Sequence, residues 1–428
     1  MTYTALIIAV ILFFAIIETP MFVVIAGLSA ACLYFVAFDF LSLQMILIEM
    51  NRLGSMPVLI ALPLFTLVGT LLTETKAPDR IMTFIQAVIG RLPGGLAMAA
   101  LCSCAFFTAL TGASGVTIVA LGGILYPVLR KRGYRELFTL GLVTTSGSLG
   151  LLFPPSLPVI LYGVVARVNI SLIFRAALVP GILLVVVLCL YAFFHELLSG
   201  RKKQIREPES RPSIWEAFRD GMWDWPVIII ILAGIYGGIV TIAEISAVVL
   251  LYVIVVECFI LKEVHFIKQL PKIMVEAAVL SGAIVIILGV ALGFTGYLVD
   301  EQIPDKILGY LTSFSDSRIV FLLGLNLFLL VVGCIMDIFS AIVIIVPIMI
   351  PIALSYNIDP IHLCVIFLVN LEIGYSTPPV GINLFISSLK FKKPVTFLYR
   401  ASIPYLLILL AVLAVITYVP YLSLFMVK

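Results

Sequence analysis

Charged residues are scarce in this sequence. Of its 428 residues, 11% are Asp, Glu, Lys or Arg and 63% are hydrophobic, whereas a soluble globular protein carries roughly 25% charged residues. Apolar windows of about 20 residues, the length that crosses a bilayer as a helix, recur along the chain. The sequence also lacks the roughly ten-residue alternating segments of a membrane β-barrel. The composition therefore predicts an all-α polytopic membrane protein.

Two further absences concern processing and disulfides. The first residues, MTYTALIIAVILFFAII, have no basic n-region and no small-residue cleavage site, so we expect them to form a retained first helix. The seven cysteines, for example Cys102, Cys104 and Cys334, lie in apolar segments without paired loop spacing. They are therefore expected to be small core residues and not disulfides or metal ligands.

Catalytic motifs are missing as well. The sequence contains no HExxH, no GxGD paired with a second Asp, and no DDxxD-like cluster. Its histidines, His195, His265 and His362, are far apart in the chain. These absences argue against an intramembrane protease or polyprenyl transferase, because each needs such a constellation.

Apolar windows between loop signals predict the membrane helices. Plain helices are predicted near residues 5–17, 20–37, 54–73, 172–196, 226–239, 242–261, 275–299 and 402–424. Two long apolar stretches, 95–129 and 319–354, are interrupted near their centres by TGASG (Thr111–Gly115) and by GCIMD (Gly333–Asp337). Two further segments, 136–165 and 360–389, each contain a Pro-Pro pair. These four segments are predicted to be two hairpins and two broken helices.

Basic residues set the orientation through the positive-inside rule. They cluster in the loops at 130–135, 201–211 and 390–400. All three loops fall in the cytoplasm if each interrupted stretch leaves and returns on one side of the membrane. The tip TGASG is uncharged, which suits a re-entrant hairpin buried in protein at mid-membrane depth. Both termini are then expected to be periplasmic.

The two halves of the chain resemble each other. Pro154-Pro155 and Pro378-Pro379 lie 224 residues apart, and the same offset relates Gly150 to Gly374. The first hairpin base is strongly basic and the second is not, so the halves are predicted to be inverted repeats. Paired, interrupted hydrophobic segments in inverted halves point to the binding site of a secondary transporter.

A broken membrane helix can bind ions. Proline removes an amide donor and breaks a helical hydrogen bond, and irregular backbone at membrane depth is tolerated only inside protein or along a cavity. Released carbonyls suit a desolvated Na⁺. The N-terminus of the restarted half-helix suits an anion, because its N–H groups are free and its dipole is positive.

Individual polar residues near the breaks have more than one interpretation. Asp337 lies at the second hairpin tip in apolar surroundings, where an ionised carboxylate costs several kcal/mol unless a cation pairs with it; it could instead only cap the tip. Glu372 could face a neighbouring helix or the cytoplasm. A lone hydroxyl such as that of Ser103 often bonds to its own helix.

Three stretches carry a resemblance to a known family: TALTGASGVTIVALGGILYPVLRKRGY, GSLGLLFPPSLPVILYG and IGYSTPPVGINLFISSLKFKKP. With these, essentially the whole chain resembles the large membrane subunit of a TRAP (tripartite ATP-independent periplasmic) transporter. The resemblance implies an elevator-type secondary transporter of the ion transporter superfamily, located in the bacterial inner membrane. It would take up a small organic acid, sialic acid-like or C4-dicarboxylate-like, with two or more Na⁺ per transport cycle.

The resemblance also implies partners and sites. The partners would be a small four-helix membrane subunit, a periplasmic substrate-binding protein and membrane lipid, with no nucleic acid. The sodium sites would pair TGASG with SGSLG and the Gly333–Ser340 tip with GYSTPP. The candidate sodium ligands are Ser103, Gly112, Ser114, Ser146, Gly150, Gly333, Asp337, Ser340, Gly374 and Thr377. The candidate substrate-binding residues are Ser114, Thr117, Pro154, Ser156, Ser376 and Asn383.

The predicted organisation follows the repeats: scaffold helices at 1–73 and 226–300, arms at 74–94 and 301–318, transport halves at 95–170 and 319–392, a linking helix and cytoplasmic linker at 171–225, and a C-terminal helix at 393–428. One alternative is a stand-alone Na⁺/carboxylate symporter of the related inverted-repeat superfamily. A purely structural membrane scaffold is a second, but it gives no reason for two broken helices.

Overall fold

The helices of this protein were traced in a computed structural model. It describes residues 44–198, 213–238, 240–314 and 317–427, together with positions 23, 26–27 and 29–31. Every regular element in these residues is helical. The predicted helix near 5–17 and most of the one near 20–37 lie outside the described residues.

The first half of the chain contains eight of the described α-helices. They are α1 (Gln44–Gly54), α2 (Ala61–Thr73), α3 (Ala77–Ile89), α4 (Gly95–Thr111), α5 (Ser114–Lys131), α6 (Glu136–Ser146), α7 (Leu157–Ala166) and α8 (Ile170–Leu198). Helices α4 and α5 form the first predicted hairpin, with the first tip (residues 111–115) between them. Helices α6 and α7 are the two parts of the first Pro-Pro segment, separated by the first break (residues 147–156).

The second half repeats this order after a short helix, α9 (Ile214–Asp220). The helices are α10 (Trp225–Gly237), α11 (Ile242–Val255), α12 (Leu270–Asp300), α13 (Ile303–Phe314), α14 (Arg318–Ile335), α15 (Ile338–Ser355), α16 (Pro360–Gly374), α17 (Ile382–Phe391), α18 (Val395–Tyr418) and α19 (Tyr421–Leu424). The second tip (residues 333–340) joins α14 to α15. The second break (residues 375–381) separates α16 from α17, so both predicted hairpins and both broken helices are confirmed.

Several predicted helix ends are wrong, and proline explains most of them. The helix predicted over 54–73 begins as a 3₁₀ turn at Pro57, because the preceding residue, Met56, is extended, as residues before proline usually are. The helix predicted over 402–424 is displaced to 395–418, since it starts directly after Pro394 and stops before Pro420. The helix predicted over 242–261 changes at Val256 into a π-helical turn.

Six helices in the described residues are long and apolar enough to cross a membrane, or up to seven if a bent pair counts as one span. The bent pair is the Pro57–Thr73 segment with α3, which meet at 74°. Helix α3 buries Ala77, Pro78, Ile81 and Met82 along one face, as expected of the amphipathic arm predicted over 74–94. The second arm, α13, occupies the equivalent place before the second hairpin.

Each half packs one of its helices against the hairpin of the other half, in two equivalent contacts. Helix α7 packs against α15, and the equivalent helix α17 packs against α5. The Ser148 hydroxyl lies 3.4 Å from the carbonyl oxygen of Glu372, which is the equivalent residue 224 positions later. Two equivalent residues touch only where a pseudo-two-fold axis passes between them. The fold is thus an all-α polytopic membrane protein built from two inverted repeats.

One ion-pair network fixes the first arm. The Arg80 guanidinium donates to both carboxylate oxygens of Asp224, at 2.7 and 2.9 Å, to Glu263 at 2.6 Å and to Glu257 at 3.2 Å. All four side chains are largely buried. In the second arm, Lys306 forms only an exposed 3.8 Å pair with Glu301. The network therefore anchors the first arm to α10 and to the end of α11. The second arm is held less firmly, because its ion pair is exposed.

Replacing Arg80 by methionine should destabilise the fold strongly. It would leave three buried carboxylates without a cation, and breaking a buried pair in this way costs about 3–5 kcal/mol. Lys306→Met is the matched control, because an exposed pair contributes about 0–1 kcal/mol. Thermal unfolding of both purified variants in detergent measures the difference. Equal, small losses would show that the network does not stabilise the arm.

Candidate functional site

Each broken helix touches the hairpin of its own half through backbone. At the first break, a Cβ added to Gly150 would lie 2.1 Å from the carbonyl oxygen of Ala105 and 2.4 Å from the amide nitrogen of Ala109. No side chain fits in that space. The first break therefore lies directly against α4, two turns or less before the first tip.

The first tip depends on a left-handed glycine and a hydroxyl bridge. Gly112 has φ of +65°, a conformation that favours glycine, and its N–H donates to the Thr108 carbonyl at 2.8 Å. The Thr108 hydroxyl lies 2.7 Å from the Thr117 hydroxyl and 2.8 Å from the Gly147 carbonyl. Thr117 can therefore donate to Thr108, which donates to Gly147. This chain of hydroxyls joins both arms of the hairpin to the first break.

The second break contacts its hairpin in the equivalent way. A Cβ on Gly374 would lie 2.6 Å from the carbonyl carbon of Gly333. The Gly381 N–H donates to the Cys334 carbonyl at 3.0 Å, and the Ile338 N–H donates to the Tyr375 hydroxyl at 2.5 Å. The second tip is thus fastened to the second break by backbone and by a tyrosine side chain.

The carbonyls at the breaks are only partly free. In the first break, the carbonyls of Ser146, Ser148 and Gly150 each accept a bond from the N–H three residues later. In the second, those of Ile373 and Gly374 do the same. A carbonyl oxygen has two lone pairs. The Ile373 carbonyl also accepts from the Thr377 hydroxyl at 2.8 Å, so both of its lone pairs are used. The expectation of released carbonyls therefore holds for one lone pair each of Ser146, Ser148, Gly150 and Gly374.

Asp337 caps the second tip. It is the N-cap residue of α15, and its Oδ1 accepts from the N–H groups of Phe339 and Ser340, both at 3.0 Å. The side chain is half-buried. Among the described residues, Oδ2 has no hydrogen-bond donor. The capping role is thus present, while its second oxygen is not used by the cap.

Several buried polar groups have no hydrogen-bond partner in the described part of the chain. They are the hydroxyls of Ser103, Thr145, Ser340 and Ser376, both amide atoms of Asn383 and both carboxyl oxygens of Glu372. Leaving such a group unpaired costs about 1–3 kcal/mol. In a membrane protein these groups are candidate ligands, because a bound ion or substrate would satisfy them. Over the same residues, no group of three or more His, Cys, Asp or Glu could hold a metal ion.

Asn383 approaches the first tip from the other half of the molecule. It lies on α17, whose Ile386 would be 2.7 Å from a Cβ on Gly115. Residues three apart share a helix face, so Asn383 is on the face of α17 that packs against α5. Ser387, on that face, bonds to Thr144 at 2.8 Å. Asn383 therefore lies on a helix that packs beside the first tip, and its role as a substrate ligand stays a prediction.

Most of the predicted sodium ligands lie at two places. At the first, the Ser114 carbonyl lies beside Gly147 of the break, Gly112 lies against Leu157 at the start of α7, and Gly150 lies against α4. The second place combines Gly333, Asp337, Ser340, Gly374 and Thr377.

Other predicted site residues lie elsewhere or bond locally. Ser103 is nine residues before Gly112 on α4, which is about 14 Å along the helix axis. The Ser146 hydroxyl donates to Val143 in its own helix, and the Thr377 hydroxyl donates back to Ile373 at the end of α16. Ser156 donates to the Leu151 carbonyl. These bonds do not remove their acceptor lone pairs, but they do fix their orientation.

Pro154 is not beside a polar site. It lines an apolar crevice together with Phe153, Phe106 and residues of α8 and α10. The expectation that it contacts substrate rested on its place in the break, whereas the residues that line the crevice with it are apolar.

Three contributors to the site were not singled out from the sequence. Thr108 and Tyr375 bond across to other elements, and Thr144 bonds to Ser387. Tyr375 lies inside the motif GYSTPP, so the sequence could have marked this tyrosine as a candidate because it lies at a helix break. Thr108 and Thr144 look like ordinary helix hydroxyls, and only their long-range partners reveal them.

Comparisons with known proteins agree with this arrangement. Residues 6–422 match the family described as Tripartite ATP-independent periplasmic transporter, DctM component. The C4-dicarboxylate TRAP transporter large permease protein DctM of Pseudomonas aeruginosa is 36% identical over 399 residues, covering 93% of this chain and 92% of that protein. The isethionate TRAP transporter permease protein DctMQ of Oleidesulfovibrio alaskensis is 33% identical over 381 residues, covering 88% of this chain. This chain spans 59% of the length of the isethionate relative.

A solved structure shares the fold. The Alcanivorax borkumensis YdaH transporter superposes with a TM-score of 0.64, covering 89% of this chain and 88% of that chain at 14% identity. At this identity the likeness concerns the fold alone. It supports the overall helical fold described above.

The backbone contact at the second break predicts a sharp glycine requirement. In Gly374→Ala the new methyl group would overlap the backbone of Gly333, and overpacking of this kind costs about 1–3 kcal/mol. Gly324→Ala, on α14 with nothing within 4 Å of its Cβ position, should be neutral or slightly stabilising. Thermal unfolding in detergent compares the two. Equal melting temperatures would mean that the second break and the second tip are not in close contact.

Proposed function

Because the chain belongs to the DctM family of tripartite ATP-independent periplasmic transporters, we propose that it imports a small organic anion by Na⁺-coupled secondary transport. The family consists of transporter permeases, so the chain is a multi-pass protein of the inner membrane and not an enzyme. The observation that carries the Na⁺ coupling is the pair of break–tip contacts, which gather backbone and hydroxyl oxygens; at the second, the buried Ser340 and Ser376 hydroxyls lack partners within the described residues.

Two sodium sites follow from the two contacts. At the first, Gly147 of the break lies beside the Ser114 carbonyl, and its own carbonyl accepts from Thr108 of the hairpin. At the second, Asp337 and the unpartnered Ser340 and Ser376 hydroxyls lie around the Gly333–Gly374 contact. Hard oxygen ligands of this kind suit Na⁺. The second site alone includes a carboxylate, so we expect it to bind its ion more tightly.

The substrate is proposed to be a small carboxylate or sulfonate. The relatives are named for C4-dicarboxylates and for isethionate, so an acid group is the shared chemistry, while the sialic acid-like alternative stays a prediction. Helix α17 starts at Ile382 with the unpartnered Asn383 amide in its first turn, beside the first tip. A helix N-terminus with an amide donor favours an anion there.

Partners are also proposed. The isethionate relative is longer than this chain. Its name, DctMQ, adds the letter Q to the name DctM of the other relative. We therefore propose that this chain works with a separate small membrane subunit and a periplasmic binding protein that delivers the substrate. Uptake by this chain alone at the full rate would favour the stand-alone symporter.

An elevator movement is proposed for the two hairpins and broken helices. The contact between α4 of the first hairpin and the long helix α8 offers a way to test it. The Sγ atoms of Cys102 on α4 and Cys189 on α8 lie 3.9 Å apart. If α4 slides past α8 during transport, this distance must change in every cycle.

The sodium proposal predicts the effect of Asp337→Asn. Asparagine caps a helix about as well as aspartate, so the fold should be kept while one charge at the ion is lost. A charge-assisted bond contributes about 1.5–3 kcal/mol, so the Na⁺ concentration for half-maximal uptake should rise roughly 10- to 100-fold. Ser114→Ala, which removes a neutral oxygen from the first site, should have a smaller effect.

The measurement is the Na⁺ dependence of uptake in proteoliposomes that contain the partners, with choline as the replacement ion. Equal uptake in choline would refute Na⁺ coupling itself. A wild-type Na⁺ curve for Asp337→Asn would instead show that this carboxylate only caps α15.

The elevator proposal predicts that a cross-link between Cys102 and Cys189 stops transport. A membrane-permeable oxidant should inactivate the wild-type protein, because the bond would fix α4 to α8. Cys102→Ala and Cys189→Ala should each keep their activity under the same treatment. Unchanged uptake in cross-linked wild-type protein, with the bond confirmed by mass spectrometry, would show that α4 and α8 do not move past each other.

A further inference from the structure

An apolar crevice lies between the first hairpin and two neighbouring helices. Its volume is about 340 Å³. Ala105 and Leu110 of α4 and Ile231 of α10 form its buried wall. Phe153 and Pro154 of the first break close one side. The proposed movement of α4 past α8 takes place along this crevice, but none of the proposed ion or substrate sites lies in it.

The mouth of the crevice faces the bilayer. Three of its lining side chains are exposed: Ile182 at 47%, Val186 at 46% and Leu232 at 40%. They lie on α8 and α10, within the membrane-spanning part of the chain. The medium outside the mouth is therefore lipid, so an acyl chain can enter from the bilayer.

The volume of the crevice indicates what kind of molecule can enter it. A volume of 340 Å³ holds on the order of ten groups of the size of a water molecule, at about 30 Å³ each. Even ten residues of an α-helix about 10 Å across need about 1,000 Å³. An acyl chain therefore fits inside this space, whereas a partner helix could only lie across its mouth.

One end of the crevice is polar. Arg175 precedes the lining residues Leu178 and Ile182 on α8 by three and seven positions, so all three share a helix face. Its Nη2 donates to the carbonyl oxygen of Tyr236 at 2.9 Å. Tyr236 follows the lining residue Leu232 on α10 by one turn, and its buried hydroxyl has no partner within the described residues.

Arg175 also lies at the depth of a lipid headgroup. It is five residues, about 8 Å, from the start of α8. The basic segment that begins at Arg201 follows the opposite end of this helix, and the positive-inside rule assigns that end to the cytoplasm. Arg175 and Tyr236 therefore belong to the periplasmic side.

We propose that the crevice is a binding site for one phospholipid of the periplasmic leaflet. Arg175 binds the phosphate, since a guanidinium presents a fork of donors that matches phosphate oxygens. The Tyr236 hydroxyl donates to the same headgroup. One acyl chain runs from there along Leu178 and Ile182 into the crevice, against α4. The site requires only that the chain is embedded in a membrane, so it does not depend on the proposed transport.

The test is lipid binding to the purified full chain in detergent, followed by native mass spectrometry. The probe is phosphatidylglycerol with two oleoyl chains. Arg175→Gln should weaken the tightest binding event about tenfold or more, because a charge-assisted bond is lost. Ile182→Trp, which places a ring in the mouth, should weaken it as well.

Two control variants match these changes. Arg167→Gln alters an exposed arginine near the same end of α8, and Leu251→Trp adds a ring at a 66% exposed position on α11 that does not line the crevice. Both should bind as the wild type does. If all four variants retain the lipid equally, the proposal is wrong.

A second measurement separates the headgroup from the acyl chain. Phosphatidylglycerol should raise the melting temperature of the wild-type protein, and this gain should shrink in Arg175→Gln. Dioleoylglycerol has the acyl chains without the phosphate, and inorganic phosphate has no acyl chain. Each should stabilise the protein less than phosphatidylglycerol does. Equal stabilisation by dioleoylglycerol would overturn the role of Arg175 as a phosphate ligand.

Discussion

A broken backbone inside a membrane has to be satisfied by protein, because lipid offers no hydrogen bonds. Here each break is covered by the hairpin of its own half, at a separation where only glycine fits. Gly150 lies against Ala105 and Ala109, and Gly374 lies against Gly333. The hairpin tips and the two parts of each broken helix depend on these two contacts. So does the packing of α7 on α15 and of α17 on α5. Because the contacts are backbone to backbone, they also gather carbonyl oxygens, which are the groups that can bind a cation.

The two repeats share this framework but differ in polarity. The second half has Glu372 where the first has Ser148, and both touch at the pseudo-two-fold axis. The second half also contains a buried amide pair, in which Asn370 donates to Asn326 at 2.7 Å and Asn326 donates to Thr417 at 3.1 Å. The position equivalent to Asn370 in the first half is Ser146. The geometry for ion binding is thus repeated, while the electrostatics are not, and two bound ions would experience different sites.

Local chemistry explains what could be predicted from the chain. Proline removes a donor wherever it occurs, so Pro154-Pro155 and Pro378-Pro379 identify both breaks without any knowledge of their neighbours. The same holds for the uncharged tip at Thr111–Gly115, which is too apolar for an exposed loop. Matching offsets then identify the two repeats. Helix ends were less predictable, since Pro57, Pro394 and Pro420 move them by several residues.

The sequence by itself therefore determined the all-helical membrane fold, the repeats, the hairpins and the breaks, because periodicity, hydrophobicity and proline act over a few neighbouring residues. Tertiary structure decided which polar groups meet. Pro154 faces an apolar crevice, Tyr375 reaches the second tip, and Arg80 finds three carboxylates that are 144 to 183 residues away. Those pairings depend on packing between distant helices, and no local pattern specifies a partner at that separation.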